Sequence, residues 1–337
     1  MKSLKVIFAL RLFVLTIHKI LKCFILNKNI MLKVTDISFS YQERPIINTI
    51  SFTVDKGKTV AIIGESGCGK STLLKLIYGL YDLNHGQIFW NDNEVLGPKY
   101  HLIPGMEYMK YLAQDFDLMP YITVAENVGK YLSNFFPEEK QKRITELLEV
   151  VEMSDFAQIK AQYLSGGQMQ RVALAKVLAK EPEVLLLDEP FSHIDNFRKN
   201  SLRRNIFSYL KEKQITTIIA THDSTDMLSF TDEVIVLKQG EIIVKDTPKK
   251  VYQNPINYYT ASLFGDVNTI YVREKPTYLY PNQFQIIDQS PIEAVVKNCY
   301  YRGKDYLLEL LSDDVVLFVE SQKEYALNSK VCIALKK

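Results

Sequence analysis

Thr59-Val60-Ala61-Ile62-Ile63-Gly64-Glu65-Ser66-Gly67-Cys68-Gly69-Lys70-Ser71-Thr72 is the stretch that decides the fold. The short β-branched run Thr59 to Ile63 predicts a buried strand, and Ser71 to Leu80 predicts a helix ending near Gly79. Between them, glycines at 64, 67 and 69 let backbone N–H groups curl round phosphate oxygens without Cβ clashes, at the positive end of the following helix. Lys70 adds a point charge on the same oxygens, and the Ser71 hydroxyl suits Mg²⁺. Glu65, Ser66, Cys68 and Thr72 complete the expected cradle. A strand, a glycine-rich loop and a helix in this order predict an α/β core that binds a nucleoside triphosphate.

Downstream, Val184-Leu185-Leu186-Leu187-Asp188-Glu189 reads as a strand buried on both faces, with carboxylates emerging where ligands of parallel sheets bind. Alone, such a run is also a common core strand with a polar end. Beside a phosphate loop it assigns Asp188 to Mg²⁺ and Glu189 to the attacking water, which it would orient and deprotonate. Leu164-Ser165-Gly166-Gly167-Gln168-Met169-Gln170-Arg171 opens a helix predicted to run to about Ala179. Ser165 and the two glycines put a hydroxyl and bare backbone donors at that N-terminus, which is a second anion site or simply a capped helix start.

Together these motifs resemble the nucleotide-binding subunit of an ABC transporter, in which the LSGGQ of one chain closes over ATP held by another chain's phosphate loop. The resemblance covers about two hundred residues in unbroken order and implies roles for further positions. Tyr41 would stack on adenine, and Gln114, in Tyr111-Leu112-Ala113-Gln114-Asp115, would contact Mg²⁺ and the water. His222, after the predicted strand Thr216 to Ala220, would touch the γ-phosphate, and Asp195 in Ser192-His193-Ile194-Asp195 would serve as the loop that joins the two sites. His193 departs from the family, which often has a small or polar residue there. The implied unit is a homodimer with ATP and Mg²⁺ in two competent sites. The implied fold is a P-loop NTPase ABC core, with a mixed, largely parallel sheet, an antiparallel β subdomain and a helical subdomain at about 115–180. The surface from Phe116 to Asn127 would receive a membrane subunit.

Composition fits that frame. The chain has 337 residues, 47% of them hydrophobic, and a formal charge of +2, so no overall basic field argues for nucleic acid. Cys23, Cys68, Cys299 and Cys332 lack zinc-ligand or disulfide spacing and suit a reducing cytoplasm, with Cys68 open to use as an alkylation handle. Residues 1–30 carry Lys2, Lys5, Arg11, Lys19, Lys22 and Lys28 with no acidic residue. Their apolar runs are interrupted well short of the about 20 residues of a membrane span, and no small-residue cleavage site follows. Phe8 and Leu15 fall among the basic positions and spoil an amphipathic face. The expectation is an upstream extension outside a native fold that begins at Met31.

The tail completes the expectation. Gly240 to Pro248 and Asn254 to Asn268 are similar to the exit from the core of binding-protein-dependent importers, placing the core at 31–268. Strands at Ile292 to Cys299, Tyr306 to Leu311, Val315 to Glu320 and Val331 to Ala334, joined by turns at Arg302 to Asp305 and Ser312 to Asp314, predict a small all-β domain over 276–337. With Tyr280-Pro281-Asn282-Gln283 and Tyr301-x-Gly303 it resembles the OB-like TOBE barrel of importers for ferric iron, polyamines, sulfate, molybdate and sugars. The resemblance therefore implies a peripheral ATPase on the cytoplasmic face of the inner membrane. It would drive separate permease subunits and, indirectly, a solute-binding protein. An ABC ATPase of a soluble machine, or of an exporter with separate membrane subunits, is the alternative.

Overall fold

The computed structural model describes residues 30–272, 274–290 and 292–336. The readings made for the N-terminal extension and Cys23 lie outside the described residues, except that Ile30 already opens the first strand. Two compact units divide the chain, one ending at Lys245 and the other running Asp246–Lys337.

In the first unit, β1 (Ile30–Tyr41) and β2 (Arg44–Asp55) form a long antiparallel hairpin, with β4 (His85–Trp90) and β5 (Asn93–Glu94) completing a sheet of order β2-β1-β4-β5. The turn of this hairpin is tight: Arg44 and Pro45 pair with Tyr41 and Ser40, and only Gln42 and Glu43 turn. Gln42 takes φ 54°, which lets so short a turn close the hairpin.

The second sheet has the order β10-β9-β3-β8-β7-β6, from Glu241–Asp246, Glu233–Lys238, Thr59–Ile63, Thr216–Ala220, Val184–Asp188 and Met109–Leu112. Its β3–β9, β3–β8, β7–β8 and β6–β7 pairs are parallel, so Ile63, Ala220, Asp188 and Leu112 end on one edge. Every residue of β3, β7 and β8 is buried, as the apolar runs required. Helix α1 (Lys70–Tyr78) packs Leu73, Leu74, Leu76 and Ile77 into a core shared with Val34, Ile50, Trp90, Leu186 and Ile218. Each such side chain contributes about 1.5–3 kcal/mol on burial. Gly79 stops the helix in the left-handed region at φ 79°.

Between β6 and β7 lie helices α2 (Val124–Gly129), α3 (Pro137–Val150) and α4 (Gly166–Leu178). Helix α5 (Asn196–Glu212) joins β7 to β8, and the short α6 (Ser224–Phe230) joins β8 to β9.

The second unit opens with helices α7 (Pro248–Gln253) and α8 (Tyr258–Ser262) and a hairpin, β11 (Asn268–Val272) with β12 (Lys275–Leu279). A sheet of order β13-β17-β14-β15-β16 follows, from Phe284–Ile287, Lys330–Leu335, Ile292–Tyr301, Tyr306–Ser312 and Val315–Ser321. Strands β13 and β16 stand at opposite ends of that order yet lie against each other, so the sheet curls round a core that includes Val296, Leu308, Leu310, Val319 and Ile333. The expected strands are present and slightly longer, whereas β11, β12 and β13 were not anticipated.

Candidate nucleotide site

The phosphate loop fills the gap between β3 and α1, where the sheet's parallel strands end. Gly67 adopts φ 82° with nothing within 4 Å of where a Cβ would stand, so backbone conformation alone selects glycine there. Gly69, at φ 110°, is also crowded, since a Cβ would meet Ile47 Cδ1 at 3.0 Å and the Ile46 carbonyl at 3.2 Å. Lys70 is nearly buried, and its ammonium donates to the carbonyls of Gly64 (2.7 Å) and Glu65 (3.0 Å), which fixes the loop's curl. Cys68 faces the core at 3% exposure, and burial pushes its thiol up, so it is not the accessible alkylation handle the sequence left open.

Asp188 closes β7 at 3% exposure. Its Oδ1 accepts from the Ser71 hydroxyl (3.0 Å) and its Oδ2 from the Tyr111 hydroxyl (3.2 Å). Burial pushes the carboxyl above its ordinary value, and these two hydrogen bonds oppose the shift. Burial and the neighbouring Asp188 charge push the Tyr111 phenol upward, so it stays a donor. Asp188 forms no ion pair among the described residues, an unneutralised buried carboxylate beside a hydroxyl. That donor set suits Mg²⁺, which takes few protein ligands and completes its shell with phosphate oxygens and water. Groups of three or more His, Cys, Asp and Glu side chains able to hold a metal are absent among the described residues, so a metal here would depend on this hydroxyl, amide and carboxylate set.

Glu189 leaves the strand at φ 48°, its N–H donating to the Ala220 carbonyl at 2.9 Å. Its Oε1 stands 3.2 Å from His222 Nδ1 at the end of β8. Thr221 donates to Asp226 (2.8 Å) and accepts from the Asp223 N–H (3.1 Å), while Arg203 on α5 pairs with both aspartates, bracing the His222 loop from behind. A cavity of about 400 Å³ brings together Ser66, Gly67, Gly69, Lys70, Ser71, Thr72, Gln114 and Glu189. Arg44 and Ile46, at the start of β2, also line it, contacts with no sequence signal of their own. Tyr41 is not among the lining residues; its ring stands edge-on to Phe39 (4.9 Å) and Tyr81 (5.5 Å) and is 40% exposed.

A second cavity, of about 510 Å³, holds Ser165, Gly166, Gly167, Gln168, His193 and Asp195. Ser165 caps α4: its hydroxyl accepts the Gln168 N–H (3.3 Å), and the Gln168 side-chain oxygen accepts the Ser165 N–H (2.8 Å). A Cβ on Gly167 would strike the His193 carbonyl at 2.6 Å, whereas one on Gly166 would meet nothing within 4 Å. Packing within the chain therefore explains Gly167 and leaves Gly166 unexplained. No lining residue is common to the two cavities.

Comparison with known proteins gives this arrangement its family. Residues 47–192 match the ABC transporter family. An Fe(3+) ions import ATP-binding protein of Rhodococcus jostii is 41% identical over 240 residues, covering 70% of this chain and 67% of that one. The chain belongs to the ABC transporter ATP-binding proteins. A spermidine/putrescine import ATP-binding protein of Pasteurella multocida is 33% identical over 72% of this chain and 65% of its own. Among solved structures, a dimeric ATP-binding cassette in a post-hydrolysis state with ADP and phosphate superposes with a TM-score of 0.57 at 28% identity, over 65% of this chain and 99% of that one. ATP is thus the nucleotide, and ATP hydrolysis is the family's chemistry.

In this ABC ATP-binding protein the structure adds a residue that sequence reading passed over. Gln170, 2% exposed on α4, donates to the Glu189 carbonyl (2.9 Å) and accepts the His193 N–H (3.0 Å). One amide thus ties the LSGGQ helix to both the Glu189 turn and the Asp195 loop. The segment after Gln114 is pinned as well: Lys176 of α4 donates to the Asp117 carbonyl and carboxylate, and Phe116 sets its ring edge-on to His193 at 5.4 Å. Asn127 was expected within a partner-facing surface, but it is fully buried and bonds Met119 and Thr123 of its own segment. Met119 and Tyr121 are the exposed large apolar side chains of that stretch.

Proposed function

We propose that the chain is the ATP-hydrolysing subunit of an ABC importer, working as a homodimer in which each ATP lies between the phosphate loop of one copy and Ser165-Gly166-Gly167-Gln168 of the other. The observation that carries this is the pair of separate cavities, each holding half the groups the chemistry needs. Gly166 supports it, because nothing in the chain lies within 4 Å of where its Cβ would stand, which leaves this helix N-terminus open to a group from outside.

In this reading the loop amides and Lys70 hold the β- and γ-phosphates. Ser71, Asp188 and Gln114 would hold Mg²⁺, which neutralises charge developing on the phosphate oxygens. Glu189 orients the attacking water and takes its proton, and His222, 3.2 Å away, fixes the carboxylate and meets the γ-phosphate. Asp195 lies beside LSGGQ and reports one site's state to the other. Tyr41, exposed at the end of β1, would stack on adenine.

No helix among the described residues is long and apolar enough to cross a membrane. Translocation is assigned to separate permease subunits fed by a solute-binding protein, with this chain peripheral on the cytoplasmic face. Relatives named for import of Fe(3+) and of spermidine/putrescine support ferric iron or a polyamine as the cargo, and sulfate, molybdate or a similar small solute belongs to the same proposal. The all-β region from 276 onward would serve as a TOBE-like regulatory or dimer-stabilising module. Purification of the Glu189→Gln chain from its native membrane tests the importer reading. Recovery with a polytopic subunit supports it, and recovery with ribosomes or DNA overturns it.

A further inference from the structure

We propose that Tyr111 is a positioning residue for the metal-holding carboxylate, fixing Asp188 through a hydrogen bond to Oδ2 so that Oδ1 stays with Ser71. Tyr111 lies on β6 opposite Leu186 of β7, close along the sheet from Asp188, and its hydroxyl reaches Oδ2 at 3.2 Å. Ser71, from α1, reaches Oδ1 at 3.0 Å. Each carboxylate oxygen is therefore held by a hydroxyl from a different element, and the plane of the carboxylate is set. The Tyr111 ring is itself held by Tyr78, with centroids 5.6 Å apart and planes tilted by 34°.

Tyr111 does not line the nucleotide cavity. It lines another of about 420 Å³ together with Tyr78, Tyr131 and Lys176, so it acts on the metal only through Asp188. Hydrogen bonds to a ligating carboxylate orient it and tune its affinity, and their loss typically costs about 10–100-fold in metal affinity.

This rests on the reading of Asp188 as the metal-holding carboxylate. The test uses the full chain with a non-hydrolysable ATP analogue and Mn²⁺, whose free concentration is followed by electron paramagnetic resonance. Tyr111→Phe keeps the ring and its packing on Tyr78 and removes only the hydroxyl. The expected result is an apparent Mn²⁺ dissociation constant raised about 10-fold, with the metal-free melting temperature and metal-free analogue binding unchanged. Tyr78→Phe, which removes the neighbouring hydroxyl instead, should leave Mn²⁺ binding as in the wild type. A Tyr111→Phe chain that binds Mn²⁺ within about twofold of wild type overturns the proposal, as does an equal loss in Tyr78→Phe. If Asp188→Asn also leaves Mn²⁺ binding intact, the metal assignment itself falls, and Tyr111 with it.

Discussion

Glu189 shows what the sequence could and could not convey about a single residue. An apolar run ending in Asp-Glu announces carboxylates at a strand end, but nothing in it announces that Glu189 turns to φ 48°, because a non-glycine residue accepts that backbone only where its surroundings impose it. Those surroundings are the Ala220 carbonyl and the Gln170 amide, neither recognisable from spacing. Removing the base by Glu189→Gln should lower phosphate release by about 10²–10⁴-fold while ATP binding persists; a variant still turning over at the wild-type rate would take Glu189 out of that role. Gln170→Met, similar in length, leaves the His193 N–H without its acceptor and the Glu189 carbonyl with donors from Ser192 alone. It should cost about 1–3 kcal/mol in denaturant unfolding and lower phosphate release more than ATP affinity. An unchanged turnover would mean that the amide serves packing alone.

At the scale of elements, legibility followed burial. Strands Thr59–Ile63 and Thr216–Ala220 sit where the β-branched runs put them, because both faces are covered and any slip would expose apolar side chains. The β11–β12 hairpin of the second unit was missed because its strands are short and mixed: β12 begins Lys275-Pro276, a pattern that reads as turn, yet Pro276 pairs with Tyr271 at an end where no ladder N–H is needed. The bracing of α6 by α5 was equally invisible, since Arg203 is one of several basic residues on α5 and only the fold buries it, at 3% exposure, against Asp223 and Asp226. Arg203→Met should destabilise the chain by about 3–5 kcal/mol, as breaking one side of a buried pair does.

The pH dependence of that loss has a definite sign. Burial already holds the Asp226 carboxyl above its ordinary 3.8, with the Arg203 charge opposing, and without the guanidinium it rises further. A carboxyl whose folded pKa is raised binds protons more readily in the folded state, so the penalty is full above that pKa and shrinks as pH falls through it. Chemical denaturation of wild type and variant from neutral pH down toward the ordinary carboxyl value of 3.8 reads this directly. A penalty that grows as the pH falls over that range would contradict it.

At the scale of the whole molecule, the order of motifs carried the family, while the boundary between units did not show in composition: contacts divide the chain at Lys245 and Asp246, inside a strand, with α7 and α8 belonging to the second unit. The two nucleotide half-sites were legible as motifs, but their separation into distinct cavities required the fold. The direct test joins them covalently. Chains carrying Ser66→Cys and chains carrying Ser165→Cys, both in the Glu189→Gln background, are mixed with ATP and treated with a short thiol cross-linker. The account predicts a cross-linked dimer that depends on ATP and on having both cysteines, one per chain. A mixture that gives no more cross-linked dimer with ATP than without it would contradict the composite site.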